Sequence, residues 1–480
     1  MNADLSSPQT NARPCRQTRL RRLACLLAAV TLLGVAPVAS GYAASASGTS
    51  APEAPQISDA AYTTTVSYVT TFSPLWFSYY QSSRSTANQL VGPDRVSPLY
   101  KTVVAVNDDT LYASSYLDLS ADAAVLTLPS TDVTYSILVL DAYGNVLSTG
   151  LSKTPGVYAL IGPASSLTNV PAGATPIQVS VSYPTIIFRA DKYSSTGVNQ
   201  IADAETFRRS LKLQSAAGYA GNPDGGATQI VPELTYAFPF KGVADGLIAR
   251  DPMVFLRQLA VAVDSDRTPK MTSDETALAE QFDALLLAGT SYASLAAGAR
   301  SAHQMILSNY LQHVDATNWI HFTDIGAWGS NVLNRASITE YLQYGNDIGA
   351  AAYYHVFVDG TGKPLKGQHL RGYTITFPAG SIPPVQRFWS ITAYTPNAIE
   401  LVPNDWDKYH VASYTPNLHY ERDGSLTIHL AVSQPPGVPT ANYLPVPPTA
   451  FNLLLRFYGP EPNTSVANDT YAPPPVIRAE

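Results

Sequence analysis

The chain has 480 residues, only 14% of them charged, with 29 Tyr, 37 Pro and a formal net charge of −7. That length exceeds one ordinary core and predicts roughly two to three domains. The acidic balance argues against nucleic acid as a partner, and the abundance of Tyr and Pro suits β-rich structure with many corners.

Taken in chain order, residues 1–46 read as an export signal. Basic residues from Arg13 to Arg22 precede an apolar run over 23–38 and a small-residue tract over 39–46. Cleavage after Ala43 or Ala46 fits this pattern. The apolar run is short for a membrane-spanning helix of about 20 residues, so no stable span is expected after cleavage and the mature protein is expected in the periplasm or outside the cell. Five of the 29 basic residues and one of the 36 acidic ones leave with the segment, taking the charge from −7 to −11. Both cysteines, Cys15 and Cys25, leave too, which removes disulfide and thiol chemistry. Residues 47–60 have linker composition.

Residues 61–245 predict an N-terminal β-rich domain. Residues 60–81 suggest two short helical pieces separated by Pro74. Strand patterns follow at 103–106, 111–117, 124–128, 135–140, 157–161, 177–181 and 186–188, with turn residues between them. A polar knot, Asn107-Asp108-Asp109-Thr110, sits where the first two of these meet, and a helix is expected at 203–213. Residues 246–352 switch to helical spacing, with Phe255, Leu256, Leu259 and Val263 as one example, and an alanine content that suits close helix packing. Residues 353–480 return to strands at 354–359, 373–377, 388–393, 418–421, 426–432 and 451–458. The expected fold class is therefore α+β: two antiparallel β-sandwich-like domains joined by a helical insert.

Several blocks of the C-terminal part resemble a known family. Tyr373-Thr374-Ile375-Thr376-Phe377-Pro378-Ala379-Gly380, Pro383-Pro384-Val385-Gln386-Arg387-Phe388-Trp389, Asp423-Gly424-Ser425-Leu426 and Leu453-Leu454-Leu455-Arg456-Phe457-Tyr458-Gly459-Pro460 occur in the order seen in the bacterial domain-of-unknown-function family 1214. Asn107-Asp108-Asp109-Thr110-Leu111-Tyr112 with Leu117-Asp118-Leu119-Ser120 resembles its N-terminal companion, family 1254. One departure is Tyr443, where the family tends to have Trp. The resemblance implies an exported or envelope protein of two β-sandwich-like domains joined by helices, and implies no established reaction.

The residues carry no Gly-x-Ser-x-Gly elbow, zinc-protease helix, phosphate loop, dinucleotide fingerprint or Cys-x-x-Cys pair. Asp264 to Glu275 imitates a calcium loop, but Pro269 replaces the turn glycine and Lys270 takes a ligand position, so a loop with Ser273 or Asp274 capping the next helix is expected. A three-residue hairpin loop at Asp423-Gly424-Ser425 would set His419 opposite His429, two imidazoles with no third ligand, so no metal site is assigned. Asp108 and Asp109 are the candidate acid and base, although neighbours on a strand point to opposite faces. Asn107 at the strand junction and Tyr112 and Tyr116, which alternate to one side of the following strand, are candidate ligand-binding residues, and Arg387 and Trp389 are further candidates that alternate to one face. The sequons at Asn463 and Asn468 read as chance matches.

These features predict an exported protein that binds or processes a small polar or amphipathic ligand, such as a glycan, in a cleft between the N-terminal sandwich and the helices. A hydrolase acting on a glycoside or ester through Asp108 and Asp109 is the alternative, and a non-catalytic carbohydrate- or lipid-binding or assembly module is the second. No cofactor and no oligomeric state are assigned.

Overall fold

The computed structural model describes residues 59–165, 170–289, 291–367 and 371–479. The expected export signal and nearly all of the expected linker lie outside these residues. Helices are α1 (Asp59–Ser82), α2 (Ile201–Ser210), α3 (Ala216–Gly221), α4 (Phe240–Arg250), α5 (Pro252–Val263), α6 (Ser273–Ala288), α7 (Tyr292–Gln312) and α8 (Val332–Tyr341). The first half carries strands β1 (Val91–Pro93), β2 (Thr110–Tyr116), β3 (Ala124–Leu128), β4 (Tyr135–Leu140), β5 (Gly156–Ile161), β6 (Thr175–Gln178), β7 (Thr185–Asp191), β8 (Lys212–Ser215) and β9 (Gln229–Val231). They form two sheets, ordered β4-β7-β2-β1-β9 and β6-β5-β3-β8. Alternation decides which side chains fill the space between them: Ala113 of β2, Ile186 and Phe188 of β7, Leu126 of β3 and Leu160 of β5 face inward with Phe207 of α2. The intervening residues of β2 and β7 therefore point away from that core.

After the helices come β10 (Ile320–His321), β11 (Ala351–Val356), β12 (Tyr373–Phe377), β13 (Val385–Tyr394), β14 (His410–Ala412), β15 (Leu426–Ala431), β16 (Tyr443–Pro445), β17 (Asn452–Pro460) and β18 (Ile477–Arg478). Again there are two sheets, β10-β11-β17-β13-β14 and β16-β15-β12-β18. Trp389, Ile391, Leu453, Leu455 and Phe457 pack against Ile375, Phe377, Ile428 and Leu430 between them. The fold is α+β, as expected. Most strand pairs are antiparallel, while β1 with β9, β5 with β6 and β15 with β16 run parallel.

Four expectations about local structure are corrected. Residues 59–82 form one continuous helix through Pro74. The lost N–H and the ring clash cost roughly 3 kcal/mol, but α1 is enclosed by α5, α6, α7 and α8, with Tyr68, Phe72, Leu75, Trp76 and Phe77 all buried. Tyr68 stacks on Phe282 at 3.8 Å, and Arg335 of α8 donates to the Thr71 carbonyl at 2.7 Å beside the proline turn. Gly298 lets α7 approach closely, since a Cβ there would lie 2.7 Å from the Thr65 Cβ.

Residues 103–106 are not a strand: Ala105 has φ +52, and this apolar segment is buried as a loop laid across the outer face of β13 and β17. His419 does not face His429, because β15 takes β12 and β16 as its neighbours, with His429 opposite Thr374 and Tyr443. Asn442 instead bridges the two segments, donating to the carbonyls of His419 at 2.8 Å and Thr427 at 3.0 Å. The turn of Asp423-Gly424 persists, with Glu421 N–H bonding Ser425 O. The cap of α6 is Thr272, in a reciprocal box with Glu275, rather than Ser273 or Asp274.

Candidate functional site

The antiparallel register of β2 and β7 sets Tyr112 opposite Arg189, Ser114 opposite Ile187 and Tyr116 opposite Thr185. These are the residues that point away from the N-terminal core, and all six line one cavity of about 340 Å³. Tyr353, Arg456 and Tyr458, from the outer face of the C-terminal five-stranded sheet, form the wall across from them. The remaining walls are residues 102–107, Gln81 and Arg84 at the end of α1, Tyr236 and Phe238, and the 342–345 segment after α8. Exposed Arg84, Ser85 and Thr86 mark where it meets solvent, whereas Arg189 and Arg456 are buried.

The lining is chemically uneven. Among the described residues, seven tyrosines (Tyr100, Tyr112, Tyr116, Tyr236, Tyr344, Tyr353, Tyr458) and three arginines contribute, and no Asp, Glu or Lys does. Gln81 organises one end: its carbonyl accepts from Tyr344 at 2.6 Å and Tyr116 at 3.4 Å, and its amide donates to Thr102 O at 2.9 Å. Burial, reinforced by the phenol of Tyr344, pushes the Tyr116 phenol well above its usual range, so it stays a neutral donor. Asn107 sits at another corner, where its amide donates to the Tyr458 hydroxyl at 3.0 Å and its carbonyl accepts from Asp109 N–H at 2.8 Å.

Asp108 and Asp109 lie just before β2, outside the regular pleat, and both reach the same histidine. The Asp108 carboxylate lies 3.5 Å from His410 Nδ1 and the Asp109 carboxylate 3.5 Å from His410 Nε2. Asp108 also pairs with Lys192 at 2.7 Å. Asp109, fully buried, accepts from Ser390 Oγ at 2.6 Å and from the Tyr414 hydroxyl; the Tyr414 oxygen then accepts from His410 Nε2 at 3.0 Å. Burial opposes charge on His410, but the two carboxylates outweigh it and raise its pKa. Burial likewise opposes ionisation of Asp108, and His410 with Lys192 outweighs that and lowers its pKa. The cluster thus favours ion pairs, and neither Asp108 nor Asp109 lines the cavity.

Arg387 and Trp389 are separated by the structure. A β-bulge between Val385 and Phe388 breaks the alternation. Trp389 turns into the C-terminal core against Phe377, while Arg387 turns toward the N-terminal half and grips Asp191 with a two-pronged pair, Nε to Oδ2 at 2.9 Å. Neither lines the cavity. Of the seven candidates, Asn107, Tyr112 and Tyr116 therefore share the cavity, Asp108, Asp109 and Arg387 lie at the junction of the two sheets, and Trp389 is core.

His410, Arg189 and Arg456 were not singled out from the sequence. His410 belongs to a three-residue strand with no motif around it. The arginines did carry a signal, since each interrupts an apolar strand run, Ile186-Ile187-Phe188-Arg189 and Leu453-Leu454-Leu455-Arg456-Phe457. Separately, Asp245, His303 and Glu340 have metal-ligand spacing within the helices. The Lys241 ammonium occupies that position, 2.6 Å from Glu340 and 3.2 Å from Asp245.

Residues 87–215 match the family model described as protein of unknown function (DUF1254), and residues 350–462 match that described as protein of unknown function (DUF1214). The chain belongs to the proteins that pair these two families. No curated protein matches it. Among solved structures it is similar to the VPA0106 protein from Vibrio parahaemolyticus, at 17% identity and a TM-score of 0.54, covering 88% of this chain and 100% of that one. An uncharacterized protein from Burkholderia cenocepacia aligns at 13% identity and a TM-score of 0.40 over 87% of this chain and 94% of the other. The DUF1254 segment supplies Tyr112, Tyr116 and Arg189, and the DUF1214 segment supplies Tyr353, Arg456 and Tyr458. The cavity is thus walled by both families, with Gln81 and Tyr344 added from outside either match.

Proposed function

We propose that this is an exported protein that binds a small amphipathic ligand in the cavity between the two five-stranded sheets and the helical layer. The observation that carries the reading is the cavity itself: about 340 Å³, within the size range of small-molecule sites, lined by apolar surface with a few convergent polar groups. Tyrosine supplies such a lining well, offering a broad apolar face and one hydroxyl at low entropic cost. The basic, apolar and small-residue pattern of residues 13–46 supports export, and no helix among the described residues is long and apolar enough to cross a membrane.

Hydrolysis through Asp108 and Asp109 has less support. Both carboxylates are committed to Lys192, His410, Ser390 and Tyr414, and both nitrogens of His410 face them, so no ring nitrogen is directed at the cavity. The test is a thermal-shift panel of amphipathic compounds against the full chain and an Ile187→Trp variant that fills the cavity. At least one compound should raise Tm in the wild type and not in the variant. A panel without any shift, or with equal shifts in both proteins, would sink the proposal.

A further inference from the structure

Among the described residues, two of the buried arginines have a carboxylate within ion-pair distance, and the two that line the cavity do not. Arg208 bonds Glu205 and Arg335 lies 3.9 Å from Glu275, whereas Arg456 commits its Nη groups to Thr392, Tyr394 and the Ala105 carbonyl. Arg189, 5% exposed, has no carboxylate within ion-pair distance among the described residues. Its Nη1 donates to the Asn346 side chain at 3.1 Å and its Nη2 to the Tyr344 carbonyl at 2.9 Å, both neutral acceptors. Its Nε has no hydrogen-bond partner among the described residues. The surrounding groups are the phenols of Tyr112, Tyr353 and Tyr458, and the guanidinium lies on the cavity wall.

A buried cation without a counter-charge is costly, and native structures retain one where a partner completes it. The guanidinium has five N–H donors; Asn346, the Tyr344 carbonyl and the Tyr112 phenol engage some of them, and a carboxylate is the charged acceptor that suits the rest. The positive charge of Arg189 among phenols is balanced by one carboxylate. Along the wall from Arg189 the surface becomes apolar, through Ile187 of β7, Val91 of β1 and Val231 of β9. We infer that the cavity binds an amphipathic monocarboxylic acid, with its carboxylate on the Arg189 guanidinium and its apolar body along Ile187, Val91 and Val231. This rests on the ligand-binding reading above and adds the chemical class of the ligand.

Isothermal titration of the full chain at pH 7 with two matched pairs, octanoate against 1-octanol and 4-phenylbutyrate against 4-phenylbutanol, tests it. At least one carboxylate should bind tenfold or more tighter than its alcohol. Arg189→Gln should remove that preference, and Arg189→Lys, which keeps the charge and loses the fork, should restore only part of it. The acid and alcohol comparison stands even if a variant fails to fold. If an alcohol binds as tightly as its acid, the carboxylate inference is overturned while the ligand-binding reading survives. If no member of either pair binds, both fall. A preference for the acid that persists in folded Arg189→Gln would overturn the assignment to Arg189.

Discussion

The Ser390 hydroxyl donates to the Asp109 carboxylate at 2.6 Å across 281 positions of sequence, fastening the start of β2 to the middle of β13. Asp109 also lies 3.5 Å from His410 Nε2 and accepts from the Tyr414 hydroxyl. Asp109→Asn keeps the size and removes the buried charge that Ser390, Tyr414 and His410 converge on, so it should cost about 3–5 kcal/mol in urea unfolding. Ser390→Ala removes a single donor to a charged group and should cost about 1.5–3 kcal/mol. If Asp109→Asn proves the milder change, the carboxylate is not what fastens the two sheets.

The bulge in β13 makes a claim about additivity. Arg387 and Trp389 are two residues apart yet face opposite sides, one toward Asp191 and one into the core. Trp389→Ala should cost about 3–5 kcal/mol by cavity formation, and Arg387→Met about 3 kcal/mol by stranding the buried Asp191 carboxylate. With no shared partners the double variant should equal the sum of the singles within about 0.5 kcal/mol. Coupling above about 1 kcal/mol would contradict the separation of the two side chains.

The helical layer should be alkali-sensitive at His303. Burial opposes its protonation, but hydrogen bonds and charge from Asp245 and Glu340 outweigh that and raise its pKa to about 9, from a model-peptide value of 6.5. Because the folded pKa is the higher one, the stabilisation is complete below about 6.5 and is lost as pH rises through about 9. Its size is on the order of 3 kcal/mol. The stability difference between wild type and His303→Gln, followed by chemical denaturation from pH 6 to 10, should shrink over that window. A difference that stays constant would remove His303 from the ionic network.

Gly92 of β1 passes so close to β2 that an added Cβ would lie 2.2 Å from the Tyr112 carbonyl oxygen. That oxygen also accepts from Arg208 at 3.3 Å. Gly92→Ala should therefore force the strands apart and cost roughly 1–3 kcal/mol. The denaturation midpoint should fall while the m-value holds. An unchanged midpoint would mean that β1 does not sit against Tyr112.

Regular strands were legible because alternation records which face is buried: residues 124–128 and 373–377 were read with the bounds the structure gives. What the sequence hid depends on neighbours distant in the chain. Pro74 signals a break in any isolated helix, and only enclosure by α5 to α8 keeps α1 intact. Residues 103–106 have strand composition because they are buried, but as a loop spanning a sheet. Alternation placed Tyr112 and Tyr116 on one side correctly and misplaced Arg387 with Trp389, since a bulge leaves no reliable mark in the residues. His410 gains its partners only when β14 meets the residues before β2.

The position of α1 also bears on the order of events during synthesis. This helix is the centre of a layer whose other members, α5 to α8, lie between residues 252 and 341. Its aromatic faces must therefore wait, uncovered, while more than half of the chain is made. Contacts closed over so long a stretch are slow to form and leave apolar surface open to misassembly. The helical layer is accordingly the part of this protein whose folding depends most on the chain being finished.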